Sequence, residues 1–132
     1  MKKRICKNHL LKISSKNKLE DFVKHQIAFC KKFHDIPLSD EYNKEKWTLE
    51  YLRCMSQEIA ELIDMFHWKF WKNYKTHRWD IEEIKFEIAD LLCFLIDISI
   101  VWDMDADEIY QYAMSKMKLN DKRQIDKRFD YI

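Results

Sequence analysis

The chain contains no glycine and a single proline, Pro37, so it lacks the residues that supply the turns of β-hairpins and that punctuate short strands. That scarcity excludes a hairpin-rich β fold and predicts an all-α chain. Cysteine pairs are missing too: Cys6, Cys30, Cys54 and Cys93 lie far apart with no C-x-x-C spacing. Neither a zinc knuckle nor a dense disulfide framework is therefore suggested, and the thiols read as reduced groups of an intracellular, cytoplasmic protein. Nor is there a long uncharged apolar run. The longest, Ile88 to Trp102, has 15 residues and contains Asp90 and Asp97, whereas a membrane span needs about 20 largely uncharged residues. No membrane segment is expected.

What is present fits one soluble domain, with 132 residues of which 47% are apolar, enough for a real core. The net charge of +1 conceals an asymmetry. Residues 1–18 carry seven Lys or Arg and no acid, which leaves 17 basic against 23 acidic residues in the remainder. The basic start, MKKRICKNHLLKISSKNK, is read as a solvated arm preceding a domain over residues 19–132; organelle targeting stays open beside that reading, and nucleic acid is not expected as a partner.

Helical periodicity predicts a first helix from about Leu19 to Phe33 and a second from near Lys46 to Trp71, with a connection over Asn73 to Trp79. A third helix is predicted from Ile81 to Trp102, and a fourth after DMDADE with Asp105 as its N-cap, reaching about Asn120. The end, RQIDKRFDYI, reads as loosely ordered. Long amphipathic helices with short connections pack antiparallel, so the expected architecture is a helical bundle of about four to five helices, completed by dimerisation.

Two of these helices carry carboxylates where a core is expected. Apolar residues surround the axis of the third helix, so it reads as centrally buried, yet Glu87 and Asp90 are three apart and Asp97 is seven further on, a single polar stripe. Buried carboxylates need cations, metals or a wet cavity. In the second helix Glu58 and Glu61 are also three apart. If the helices pack antiparallel, an ExxE pair faces an ExxD pair, four hard oxygen donors suited to Mg²⁺, with Mn²⁺ as a possible substitute. An isolated ExxE is usually surface decoration, and the competing reading is a non-catalytic helical interaction module whose carboxylates balance Lys and Arg across the bundle. No glutamate has a histidine three residues later, which runs against a di-iron bundle.

EIAELID, then WKFWK, then EIADLLCFLIDI resembles the all-α nucleoside triphosphate pyrophosphohydrolases, the MazG-like and dimeric dUTPase superfamily. Its ExxE and ExxD hallmark here is Glu58, Glu61, Glu87 and Asp90, which the resemblance implies are the catalytic, Mg²⁺-coordinating residues. The cluster HWKFWK, His67 to Lys72, is similar to the dimeric dUTPase and phage dCTPase-dUTPase branch. SKMKLNDKRQ resembles that branch's K-x-x-x-N-x-x-R-Q element, implying phosphate contacts from Lys116, Asn120, Arg123 and Gln124, with Lys69 and Lys72 as further candidates to hold the outer phosphates. The branch reads its base with a Gln near the N-terminus and an amide or acid one turn later; this chain has Gln26 and, as a departure, Cys30. Trp68, Phe70 and Trp71 are candidates to stack on the base, although such clusters more often pack a core. His67 reads as structural, and Asp97 as reaching the sugar or base. The branch's terminal glycine-tyrosine is replaced by KRFDYI, with Phe129 or Tyr131 as substitutes. The resemblance implies a homodimeric, Mg²⁺-dependent enzyme converting dUTP to dUMP and pyrophosphate, the alternative being dCTP or a broader set of nucleotides.

Overall fold

The computed structural model describes residues 10–11, 13–34, 41–75 and 79–129, so Cys6, Pro37, Tyr131 and most of the basic arm lie outside the described residues. The described residues form four α-helices and no strand: α1 Lys18–Phe29, continued by a π-helical turn Cys30–His34, then α2 Glu41–Asp64, α3 Ile81–Val101 and α4 Ala106–Phe129. None is long and apolar enough to cross a membrane.

Side chains mark where three of the helices begin. Asn17 Oδ1 accepts from the Glu20 amide at 3.1 Å, Asp80 Oδ1 from Glu83 at 3.2 Å and Asp105 Oδ1 from Glu108 at 2.8 Å. Each satisfies an amide that has no helical acceptor. The end of α3 needs a left-handed residue. With no glycine to use, Asp103 adopts φ 58°, a region in which a short polar side chain is tolerated better than most.

Three boundaries differ from the sequence expectation. α2 starts five residues before Lys46, and it stops at Asp64 instead of Trp71. There Met65 and Phe66 donate to carbonyls only three residues back, and the Asp64 carboxylate draws in the Trp68 indole N–H at 3.0 Å. His67 stacks on Tyr74 with centroids 4.0 Å apart. HWKFWK is thus an irregular, side-chain-tied connection. α4, in contrast, runs on to Phe129.

α2 and α3 form the principal packed pair, α1 lies on α3, and α4 packs against α1. The pair is antiparallel. At one end the Trp102 indole donates to Thr48 Oγ1 at 2.9 Å and Lys44 pairs with Asp103, Tyr51 meets Phe94 further in, and Glu58 and Glu61 meet Glu87 at the other end. The inward face of α3 is the stripe 87, 90, 94, 97 and 101. Its opposite face, Ile81, Ile88, Leu92 and Leu95, is at least half exposed. That corrects the expectation of a centrally buried α3: within one chain, one side of it is covered. α2 has a similar uncovered stripe in Leu49, Leu52, Ile59 and Ile63.

Candidate functional site

The site is built along the seam between α2 and α3, and its two ends differ in chemistry. At one end Glu58, Glu61 and Glu87 each bring a carboxylate oxygen within 4.8 Å of the others, with Glu87 buried and the two α2 glutamates half-buried. Ligands on opposite sides of a six-coordinate Mg²⁺ are about 4.2 Å apart, so oxygens at this spacing can close on one hard cation with small side-chain adjustments. Oxygen-only donors suit Mg²⁺ or Mn²⁺ better than softer metals. Asp90, half-buried and one turn along α3, lies outside that trio.

At the other end a chain of polar side chains crosses three helices. Asp97 Oδ1 accepts from Gln26 Nε2 at 2.9 Å and from the Cys30 thiol at 3.4 Å. Cys30 Sγ lies 3.6 Å from Tyr51 Oη, which shares a 2.7 Å hydrogen bond with His34 Nδ1. Gln26, Cys30, Tyr51 and Asp97 are all buried. Trp47 closes the group, stacked over His34 and tilted against Tyr51. The π-helical turn adds a residue to the local repeat, and both Cys30 and His34 belong to it.

Burial sets the electrostatics of this end. It pushes the Asp97 carboxyl above its usual range, against the opposing pull of the Cys30 and Gln26 hydrogen bonds and of His34. Burial likewise pushes the Cys30 thiol up to about 11 and raises Tyr51. Cys93 rises for the same reason, reinforced by the negative charges of Asp97 and Asp90. Both thiols therefore stay protonated at neutral pH, Cys30 as a hydrogen-bond donor, which argues against thiolate chemistry.

The structure thus gathers Glu58, Glu61 and Glu87, and separately Gln26, Cys30 and Asp97. The remaining candidates lie elsewhere. Lys69 sits over the Trp68 ring and Lys72 over Tyr74, both in the connection after α2, where Trp71 packs edge-on against Trp68 and Phe70. Lys116, Asn120, Arg123 and Gln124 are exposed on α4. Tyr51 and His34 were not singled out from the sequence. A signal for Tyr51 was available, because 51, 54, 58 and 61 follow helical spacing and place it on the same stripe as the glutamates. His34 depends on the π-helical turn, which no spacing rule announces.

A family model described as dUTPase matches residues 9–125, a span that contains both ends of the seam. No curated protein and no solved structure matches the chain.

Proposed function

The chain belongs to the dUTPase family and is a nucleotide pyrophosphohydrolase, and from that premise we propose that it hydrolyses dUTP to dUMP and pyrophosphate with Mg²⁺ held by Glu58, Glu61, Glu87 and Asp90. The observation that carries this reading is the trio of carboxylate oxygens within 4.8 Å, at the opposite end of the same seam from a buried amide. Glu87 and Asp97 are ten residues apart on α3, about 15 Å at 1.5 Å per residue. That spacing is on the scale of an extended nucleoside triphosphate, phosphates at the carboxylates and base toward Gln26.

A triphosphate is a polyanion that a bare acidic pocket repels. Mg²⁺ held by Glu58, Glu61, Glu87 and Asp90 would offset that repulsion and would supply Lewis-acid activation of the attacking water and of the leaving pyrophosphate. The chain's own groups do the rest. A carboxylate of the cluster accepts the proton of the attacking water. Lys69, Lys72, Lys116, Asn120 and Arg123 hold the outer phosphates, arginine being suited to a bidentate contact. Gln26 reads the base, with Cys30 beside it.

The same reading includes a homodimer. The uncovered stripes of α2 and α3 contain eight large aliphatic side chains, each at least about two-fifths exposed. Their burial against a second copy would complete the bundle that one chain leaves half-built. Leu92→Glu with Leu95→Glu should shift the solution mass toward the monomer, read by light scattering. An unchanged mass would remove these stripes from the interface.

The direct test is product analysis of a dNTP panel, including dUTP and dCTP, with Mg²⁺ or EDTA, using wild type and Glu61→Gln. Pyrophosphate and dUMP released only by wild type with Mg²⁺ support the reading. Turnover confined to dCTP would move the substrate to the other pyrimidine, and turnover of no nucleotide would sink the proposal.

A further inference from the structure

Gln26 and Asp97 come from helices 71 residues apart in sequence, yet they meet in a 2.9 Å side-chain hydrogen bond in which both are more than nine-tenths buried. A glutamine amide is nearly symmetrical in shape and opposite in chemistry at its two ends, NH₂ donating and Oε1 accepting. Uracil presents an N3–H beside carbonyl oxygens, whereas cytosine presents a bare N3 beside an amino group. A glutamine free to turn over can match either base by exchanging its two ends. Base discrimination therefore requires something that forbids the turn.

Asp97 has that effect on the geometry. An ionised carboxylate is acceptor-only, so the NH₂ end of the amide is held against it, and a flipped Gln26 would set Oε1 against Oδ1 in a buried place. The Cys30 thiol donates to the same Oδ1 at 3.4 Å, and Tyr51, hydrogen-bonded to His34, lies against Cys30 on its other side. The carboxylate is thus braced from α1, from the π-helical turn and through Tyr51 of α2. A thiol is a weak donor, which leaves Gln26 as the stronger of the two groups on that oxygen. We propose that Asp97 determines pyrimidine selectivity as a positioning residue: by holding Gln26 Nε2 it fixes the amide in one orientation and leaves one hydrogen-bonding pattern, Oε1 and the second N–H, for the base. The proposal rests on Gln26 reading the base of a pyrimidine nucleotide.

The test compares kcat/KM for dUTP and dCTP in wild type, Asp97→Asn, Gln26→Met and the double variant, with folding checked by circular dichroism. Asparagine can donate as well as accept, so it tolerates both orientations of Gln26. The expected result is a dUTP to dCTP preference that falls about tenfold or more in Asp97→Asn, with dCTP turnover held or raised while dUTP turnover falls. On the Gln26→Met background, Asp97→Asn should change the ratio no further. Calorimetric binding of dUMP and dCMP gives the same comparison without turnover. Equal losses for both bases in Asp97→Asn, or a further shift of the ratio in the double variant, would overturn the lock. A ratio that survives Gln26→Met removes Gln26 as the reader of the base, and a wild type that treats both bases alike overturns the proposal. Failure of the underlying function is distinct from these, since wild type would then turn over neither nucleotide.

Discussion

The two ends of the α2–α3 seam put carboxylates to opposite uses. At the Glu58, Glu61 and Glu87 end three carboxylates converge, one oxygen of each within 4.8 Å of the others. At the Asp97 end one carboxylate receives two hydrogen bonds, from Gln26 and Cys30, and is shut away from solvent. On the proposed reading the first arrangement gains from an arriving cation. The second is already satisfied by its neighbours and supplies orientation instead of charge. The contrast implies that conservative substitutions should separate the two: carboxylate to amide should abolish chemistry at one end and leave a folded, working but less selective protein at the other.

The largest expected effect follows at the cluster. Glu61→Gln keeps the shape and removes a ligand charge, so kcat should fall by about a hundredfold or more, exceeding the 10–100-fold typical for groups that merely support a metal ligand. Near-wild-type turnover would show that Glu61 is decoration and would erase the distinction between the ends. Metal dependence of stability is the next effect in size. A ligand present at about 100 times its Kd stabilises by about 2.7 kcal/mol, several degrees of melting temperature for a chain of this length. Mg²⁺ should raise the Tm of wild type and of Asp97→Asn alike and have much less effect on Glu61→Gln. A shift lost in Asp97→Asn would contradict the assignment of the metal to the other end.

The cluster was the more legible of the two in the sequence, for a physical reason. Glu58 with Glu61, and Glu87 with Asp90, declare a shared helix face by spacing alone, and the antiparallel pairing that joins them follows from helix packing. The Asp97 end showed only half of itself. Its place on the stripe beyond Asp90 was visible, but its actual neighbours come from α1 and a π-helical turn, and long-range side-chain pairing leaves no periodic trace. Two further misreadings share that origin. HWKFWK has spacing compatible with a helix, yet Asp64, Trp68, His67 and Tyr74 tie it into an irregular connection. α3 reads as buried all round because apolar spacing does not say which chain covers a face; within this one, Ile88, Leu92 and Leu95 stay half exposed.

A smaller effect concerns pH. The Asp97 carboxyl is raised in the folded state by burial, so the native protein holds that proton more tightly than the unfolded chain does. Its contribution to stability is complete below the ordinary carboxylate value of 3.8 and is lost as pH rises through the folded value. Above that folded value the ionised group therefore lowers stability relative to its protonated form. Asn at 97 keeps an acceptor for Gln26 and has no charge to bury. The Tm of Asp97→Asn relative to wild type should accordingly be most favourable near pH 7 and should decline as pH falls toward 4. A difference that grows on acidification would mean that Asp97 is stabilised as an anion, reversing the sign of its burial.

The smallest expected quantity is a coupling. The ends are about 15 Å apart along α3, and substitutions so separated with no shared neighbour add within about 0.5 kcal/mol. Urea unfolding of Glu61→Gln, Asp97→Asn and the double variant, all in EDTA, should therefore give an interaction energy indistinguishable from zero. Asp90 makes this informative, because it lies between the ends on the same inward stripe and its charge bears on the Cys93 thiol together with that of Asp97. If the coupling exceeds about 1 kcal/mol, the carboxylates of α3 act as one electrostatic unit, and Asp90 is the residue through which it runs. A coupling that appears only when Asp90 is present, and vanishes in Asp90→Asn, would identify that route. A coupling near zero in both backgrounds would keep cation binding and base selection as separate properties of one helix.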